Sequence, residues 1–275
     1  MNKYTILPKE YLEGDKELEI FEKMGLSAEI TEFAIACGGY GSDQKNSSDS
    51  TYGWWWTSTP SLYTDGYVDD GYSDYYPSDV FTVGVKGNIF ESHVVSTNRG
   101  IRPAIDYSTI EDEAVELGKN KYGIKVVEYG MYPQSLQDPT ISKELEVLLE
   151  KNELPSIEKE GHYPCVVDDH WSGKIYNYNG ENYIRVHIVD EDLSSHDDWF
   201  KLEPIRWLVD QKTGIAITEK ILVAGIPYND ENKLSGIDYD NSTIKDYLNN
   251  SFAEDIQLLD AYTIQKDNNI GNKHK

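Results

Sequence analysis

Tyr52-Gly53-Trp54-Trp55-Trp56-Thr57-Ser58 opens the stretch that decides the fold, and Gly100-Ile101-Arg102-Pro103-Ala104-Ile105 closes it. Side chains alternate across a strand, so Trp54 and Trp56 share one face and Trp55 takes the other. Both faces must then be at least half covered. Two arrangements meet that demand: a central strand packed on both sides, as large aromatics favour, or a strand one of whose faces is an aromatic floor for a ligand. Further on, Tyr63-Thr64-Asp65-Gly66-Tyr67-Val68-Asp69-Asp70-Gly71-Tyr72-Ser73-Asp74-Tyr75-Tyr76 combines rigid amphipathic rings with adaptable hydrogen-bonding groups, the composition of a recognition surface. Its alternative is a solvated Asp-Gly loop. The candidate ligand contacts are Tyr63, Asp65, Tyr67, Asp69, Asp70, Tyr72, Asp74, Tyr75 and Tyr76. Val80 to Val85 and Ile89 to Val95 then read as two strands joined by the turn Lys86-Gly87-Asn88. Arg102 sits in extended chain, because the residue before a proline is pushed out of the helical region.

This order of features resembles the back half of a bacterial domain family of unknown function, whose pattern is a WWLRS-like strand, a variable glycine- and tyrosine-rich middle, a short hairpin and a closing GVRPAL-like strand. Trp54 to Ser58, Val83 to Asn88 and Gly100 to Ile105 stand for the conserved parts of that pattern; Thr57 departs from it, where the family has a longer residue followed by Arg. Other segments resemble the same family. Glu128-Tyr129-Gly130-Met131-Tyr132-Pro133-Gln134 is similar to its G-x-Y-P-Q opening. Pro204 to Val209 is similar to its PI-x-W-x-V strand, Ile221-Leu222 and Pro227-Tyr228-Asn229 to the strand and turn that follow, and Ser242 to Phe252 to its S-x-I-R-x-W-L-N-x-x-F helix. The resemblance implies an α+β, C-type-lectin-like fold of mixed and antiparallel sheets with short helices, a fold shared with formylglycine-generating-type enzymes and hypervariable binding proteins. In the family the PI-x-W strand precedes the WW strand, whereas here it follows. Two lobes are expected, as two partial copies: residues 1–110 carrying the Trp and Gly100-to-Ile105 strands and residues 111–275 carrying the other matched segments; a circular permutation of one domain is the alternative.

A chain of 275 residues can bury a real core. With 49 acidic against 25 basic residues its net charge is −24, which repels nucleic-acid phosphates and anionic membrane surfaces. Such a charge serves solubility, or lets the chain act as an acidic decoy that occupies a basic protein's site. The 21 tyrosines and six tryptophans make the chain too aromatic for a disordered acidic tail. Two distant cysteines, Cys37 and Cys165, suggest no disulfide framework and fit a reducing cytoplasm. The first ten residues lack an apolar run of signal-peptide length, and no stretch approaches the ~20 apolar residues of a membrane span. A phage particle is the alternative setting.

Along the chain, a helix is expected near residues 15–24, ended by Gly25, and a second helix or a buried strand over Ala28 to Cys37, where Ile30, Phe33, Ala34 and Cys37 recur at a spacing that favours helix. Cys37 on that stripe reads as a small core residue. Asp106 to Lys121 reads as a connector or short helix, Ile124 to Tyr129 as a strand, Ile141 to Leu149 as a helix and residues 156–170 as loop. Lys174 to Tyr178 and Tyr183 to Val189 form a hairpin about Asn179-Gly180. Phe200 to Val209 and Gly214 to Leu222 form a second, and Ser242 caps a final helix.

Among the six histidines, His93, His162, His170, His187, His196 and His274, no pair has the i, i+4 spacing of a helical metal site. His162 and His170 flank Cys165, Asp168 and Asp169, which offer zinc donors without a recognised pattern. Asp65, Asp69, Asp70 and Asp74 are hard oxygen donors suited to calcium, which lectin-like folds often bind, yet the EF-hand order is missing and Glu203-Pro204 continues with Ile205 in place of a sugar-binding triplet. No cofactor is implied. No nucleophile elbow, phosphate loop or dinucleotide fingerprint occurs. The closing Gly-x-Arg is shared with formylglycine-generating enzymes, but their paired reactive cysteines have no counterpart. Three functional expectations follow: a non-enzymatic module that binds a protein or glycan through the Tyr/Asp/Gly segment; an acidic decoy; or an enzyme of unknown chemistry, with Asp65, Asp69, Asp168 or Asp169 as acid/base candidates.

Overall fold

The computed structural model describes residues 4–41, 51–61, 79–93, 99–161, 173–189, 195–229 and 238–256. It is mixed α+β, with antiparallel sheets and few, short helices. The Trp triplet runs into strand β2 (Trp55–Pro60), which pairs with β3 (Asp79–Val83), and β3 pairs with β4 (Ile89–His93), giving a three-stranded sheet. The β3–β4 hairpin turns at Lys86-Gly87-Asn88 as expected, with Gly84 N–H donating to Asn88 O at 2.8 Å and Gly87 at φ 79°. Trp55 and Trp56 are fully buried, so the strand is covered on both faces. The alternation holds: Trp56 joins the core around Phe33, Tyr132 and Trp207, and Trp55 joins a second cluster with Phe21, Val126 and Leu208. Trp54 stays at the margin, half-buried between the Phe90 ring (4.9 Å) and the Arg99 guanidinium (4.4 Å).

A nine-stranded sheet carries the rest of the described chain. Its main path runs from β1 (Tyr4–Thr5) through β5 (Ala104–Asp106), β12 (Ile215–Thr218), β11 (Ser195–Val209), β10 (Glu181–Val189) and β9 (Gly173–Tyr178) to β8 (Ser156–Gly161). Beside this path, β6 (Val115–Lys119) pairs with β7 (Lys125–Leu136), and β7 pairs with β11. The closing stretch of the Trp segment is thereby stitched to the strand after Trp207: Ile101 bridges Val223, and Ala104 and Ile105 pair with Ile217 and Ala216. The β9–β10 hairpin turns through Asn179 (φ 49°) and Gly180 (φ 91°), both left-handed, as the right-handed twist of two-residue hairpins requires.

Four elements differ from expectation. The first helix is shorter, α1 (Glu19–Met24), because Leu18 is extended and buried and its N–H is taken by Tyr11 O. The second shrinks to α2 (Glu32–Ala36): Thr31 caps it by accepting from Ala34 N–H at 3.1 Å, and Glu29 and Ile30 are drawn into bridges with Tyr52 and Ile221. Residues 106–121 hold a 3-10 turn at Tyr107–Thr109 and the edge strand β6 in place of a connector or α-helix. Residues 156–161 of the expected loop are the edge strand β8, whose backbone pairs with β9. Both edge strands are sustained by a neighbour's hydrogen bonds, so their own side chains need not alternate.

Helix α3 (Pro139–Glu150) starts at Asp138, whose carboxylate accepts from Thr140 and Ile141 N–H, and it buries Leu145 against Trp199 and Tyr183. The last helix, α4 (Thr243–Tyr247), runs on as a π turn over Leu248–Phe252, with Ile244, Leu248 and Phe252 buried. Ser242 caps it, Oγ accepting from Lys245 N–H at 3.1 Å. Since Ser242 is fully buried, Ser242→Ala is expected to cost about 1–2 kcal/mol in urea unfolding. Ser242→Asp is not expected to restore it, because a carboxylate has no room to stay solvated there.

Candidate functional site

All nine candidate contacts between Tyr63 and Tyr76 lie outside the described residues; the stem that carries them does not. The chain leaves the small sheet at Ser61 and re-enters at Asp79, and the two are joined by a 2.9 Å hydrogen bond from Ser61 N–H to Asp79 O. Beneath it Thr57 Oγ1 donates to Phe81 O at 2.8 Å, Val80 is fully buried, and Tyr228 packs edge-on to Trp56 with centroids 5.6 Å apart. Trp56 Nε1 is buried without a hydrogen-bond partner among the described residues, a polar atom given up to packing.

Behind the stem lies Arg102, which is 3% exposed. Its Nε and Nη2 both donate to Thr218 O, and its guanidinium lies 5.0 Å from the Trp55 ring centroid and 5.8 Å from that of Phe21. Burial draws its pKa down to about 9, with the Glu219 carboxylate working the other way, so it remains a cation at neutral pH. Arg102 thus ties the closing stretch to β12 and holds one face of the Trp strand.

A second surface forms where the β7–β11 ladder is irregular. Lys201 pairs with Ser135 and Leu202 with Pro133, leaving Gln134 as an extra residue; Pro204 pairs with Met131 but Arg206 with Glu128, and Gly130 takes φ 71° in that gap. Bulges of this kind re-aim side chains. Here Gln134 Nε2 donates to Glu203 O and Pro204 O, while Ser135 Oγ donates to Glu203 Oε2 at 2.5 Å. These groups, with Glu29, Glu32 and Glu128, line a cleft of about 550 Å³. It shares Glu29, Arg206 and Lys220 with an adjoining cleft of about 560 Å³ that also takes in Tyr52, Tyr122 and Glu219. Along the shared floor the charges are matched, Arg206 to Glu219 at 3.0 Å and Lys220 to Glu29 at 3.3 Å.

Both tyrosines of the second cleft are exposed, Tyr52 by 40% and Tyr122 by 42%, on backbone that is fixed. Tyr52 bridges Glu29 and is flanked by Ile30 N–H to Thr51 O (2.9 Å) and Gly53 N–H to Ala28 O (3.1 Å). Tyr122 rides on the β6–β7 turn, where Asn120 Oδ1 accepts from the N–H groups of Tyr122 (3.0 Å) and Ile124 (3.1 Å). Lys121 Nζ lies 5.0 Å from the Tyr122 ring centroid.

The histidine and acidic candidates divide. On the β10–β11 hairpin His187 Nδ1 meets Asp197 at 2.9 Å and His196 Nε2 meets Asp198 at 3.3 Å, with Asp197 also held by Arg185. His162, Cys165, Asp168, Asp169, His170 and His274 lie outside the described residues. Among the described residues no group of three or more His, Cys, Asp or Glu is placed to hold a metal ion, and no helix is long and apolar enough to cross a membrane. Cys37 is fully buried in the main core, as its stripe predicted. The double cleft escaped the sequence reading because its residues come from five separate segments with no shared spacing; the one local sign was Tyr52, adjoining the Trp triplet. Comparison with protein-family models, with curated proteins and with solved structures returned no match.

Proposed function

We propose that this protein is a non-enzymatic recognition module that binds a protein or glycan through the Tyr/Asp/Gly segment at residues 63–76. The observation that carries this reading is the stem: a hydrogen-bonded strand pair, backed by two fully buried tryptophans, from which a segment of paratope-like composition departs and to which it returns. Rigid support lowers the ordering cost of binding. The same reading makes the fold C-type-lectin-like and circularly permuted. It draws support from the pairing of Ala104 and Ile105 with Ile217 and Ala216, which a permuted single domain requires and two independent lobes do not. It needs no cofactor, and calcium on Asp65, Asp69, Asp70 or Asp74 would be an addition to it. The small cysteine count accords with a cytoplasmic setting or a phage particle.

Tyr67, Tyr72 and Tyr75 replaced together by alanine are expected to abolish capture of the partner in a pull-down while leaving the melting temperature within a few degrees. A large fall in melting temperature would mean these rings are core. The acidic-decoy reading rests on the net charge of −24, and here the same pull-down decides: a complex that dissolves on moving from low to moderate salt is held by charge, whereas one held by tyrosines persists. An enzymatic reading has one observation in its favour, the Ser135–Glu203 pair in the cleft; among the described residues no histidine lines that cleft to complete a nucleophile's activation.

A further inference from the structure

We infer that the cleft between Tyr52 and Tyr122 is a second binding site, for a neutral oligosaccharide, distinct from the segment at residues 63–76. Three observations converge on that chemistry. Two exposed aromatic side chains, each on backbone held by hydrogen bonds, line one cleft, and flat rings of this kind stack on the C–H faces of pyranoses. Between them the floor is a row of matched charges, Arg206 with Glu219 and Lys220 with Glu29. A vicinal diol suits such a row, since one hydroxyl donates to a carboxylate while its neighbour accepts from a guanidinium or ammonium, and charge-assisted bonds are the strong ones. The two pairs cancel along the row, which suits an uncharged ligand, while Lys121 adds one positive charge at the rim beside Tyr122. The volume, about 560 Å³, falls within the range of small-ligand sites, and the polar cleft beyond Arg206 leaves room for further sugar units.

The site lies at the far end of β2 from Ser61 and Asp79: Tyr52 precedes the strand, and the segment at residues 63–76 follows it. The two sites can therefore be tested apart. Maltotriose, cellotriose, mannotriose and chitotriose would each be titrated into the full chain by calorimetry and by ligand-observed NMR. The expected result is one-to-one binding of at least one of them at millimolar or lower concentration. Tyr52→Ala and Tyr122→Ala should each weaken it at least tenfold, Tyr122→Phe should stay within about threefold of wild type, and the Tyr67/Tyr72/Tyr75 triple alanine variant should bind normally. Should Tyr52→Ala fail to fold, Arg206→Met reads the same floor. The inference is overturned if none of the four sugars binds, if binding survives in the Tyr52→Ala/Tyr122→Ala double variant, or if polygalacturonate alone binds and does so with steep salt dependence.

Discussion

Trp55→Ala and Trp56→Ala are each expected to destabilise the fold by about 3–5 kcal/mol, a large share of the 5–15 kcal/mol that holds a typical domain together. Both side chains are fully buried, and each lies in a different cluster, so neither cavity can be filled by the other's neighbours. The two should differ in detail. Trp55 Nε1 donates to Leu26 O at 3.2 Å and its ring stands over the Arg102 guanidinium, so Trp55→Phe strands a carbonyl and thins the aromatic cover of a buried cation. Trp56 Nε1 has no partner among the described residues, so Trp56→Phe removes an unsatisfied donor and should be the milder change. Urea unfolding followed by circular dichroism measures both. A cost below about 1 kcal/mol for either alanine variant would mean that the Trp strand does not anchor both hydrophobic clusters.

Alkaline pH is expected to unfold the protein steeply. Tyr132, Tyr228 and Tyr239 all have pKa values pushed up, in each case chiefly by burial; a nearby Tyr247 reinforces the shift at Tyr132 and Tyr239 reinforces it at Tyr228. Tyr239 is raised despite donor contacts that pull the other way, among them the Ile6 N–H at 3.1 Å. An acid whose folded pKa is raised contributes stability that is whole below the unfolded value near 10 and is lost as pH climbs from there toward the folded value. Each buried phenol removes up to about 1.4 kcal/mol per pH unit over the interval between its unfolded and its folded value. Tyr132 and Tyr228, raised furthest, carry most of the fall, and Arg102, whose pKa burial lowers, acts in the opposite sense. Urea midpoints across pH 9–11.5 should fall with increasing slope above pH 10. A flat profile would contradict the burial of the tyrosines.

What the sequence disclosed was whatever is local. Asn179-Gly180 marked its hairpin because two left-handed residues in succession leave few other options, and Ser242 marked its helix because a hydroxyl there satisfies an otherwise orphaned N–H. The two-faced burial around Trp55 and Trp56 followed from strand alternation alone. What it hid depends on partners. Ile30 kept a helical spacing yet was pulled into bridging by Ile221, nearly two hundred residues away, and β6 is a strand with Val115 exposed by 60% because β7 supplies its hydrogen bonds. Pro133 concealed the continuity of β7, since proline reads as a break while the bulges at Gln134 and Gly130 absorb the register shifts; the strand expected from Phe200 already ran through Pro204. For the same reason the cleft was illegible: Glu29, Tyr52, Tyr122, Arg206 and Lys220 meet only once those bulged strands are laid side by side.

The central claim is that the segment at residues 63–76 serves recognition and takes no part in holding the stem together. The most direct measurement replaces residues 63–76 by a glycine-serine linker of equal length and compares urea unfolding and partner capture with the intact chain. Unfolding free energy within about 1 kcal/mol of wild type, with capture lost, is the predicted outcome. A chain that unfolds several kcal/mol more easily, or one that still captures its partner, would contradict it.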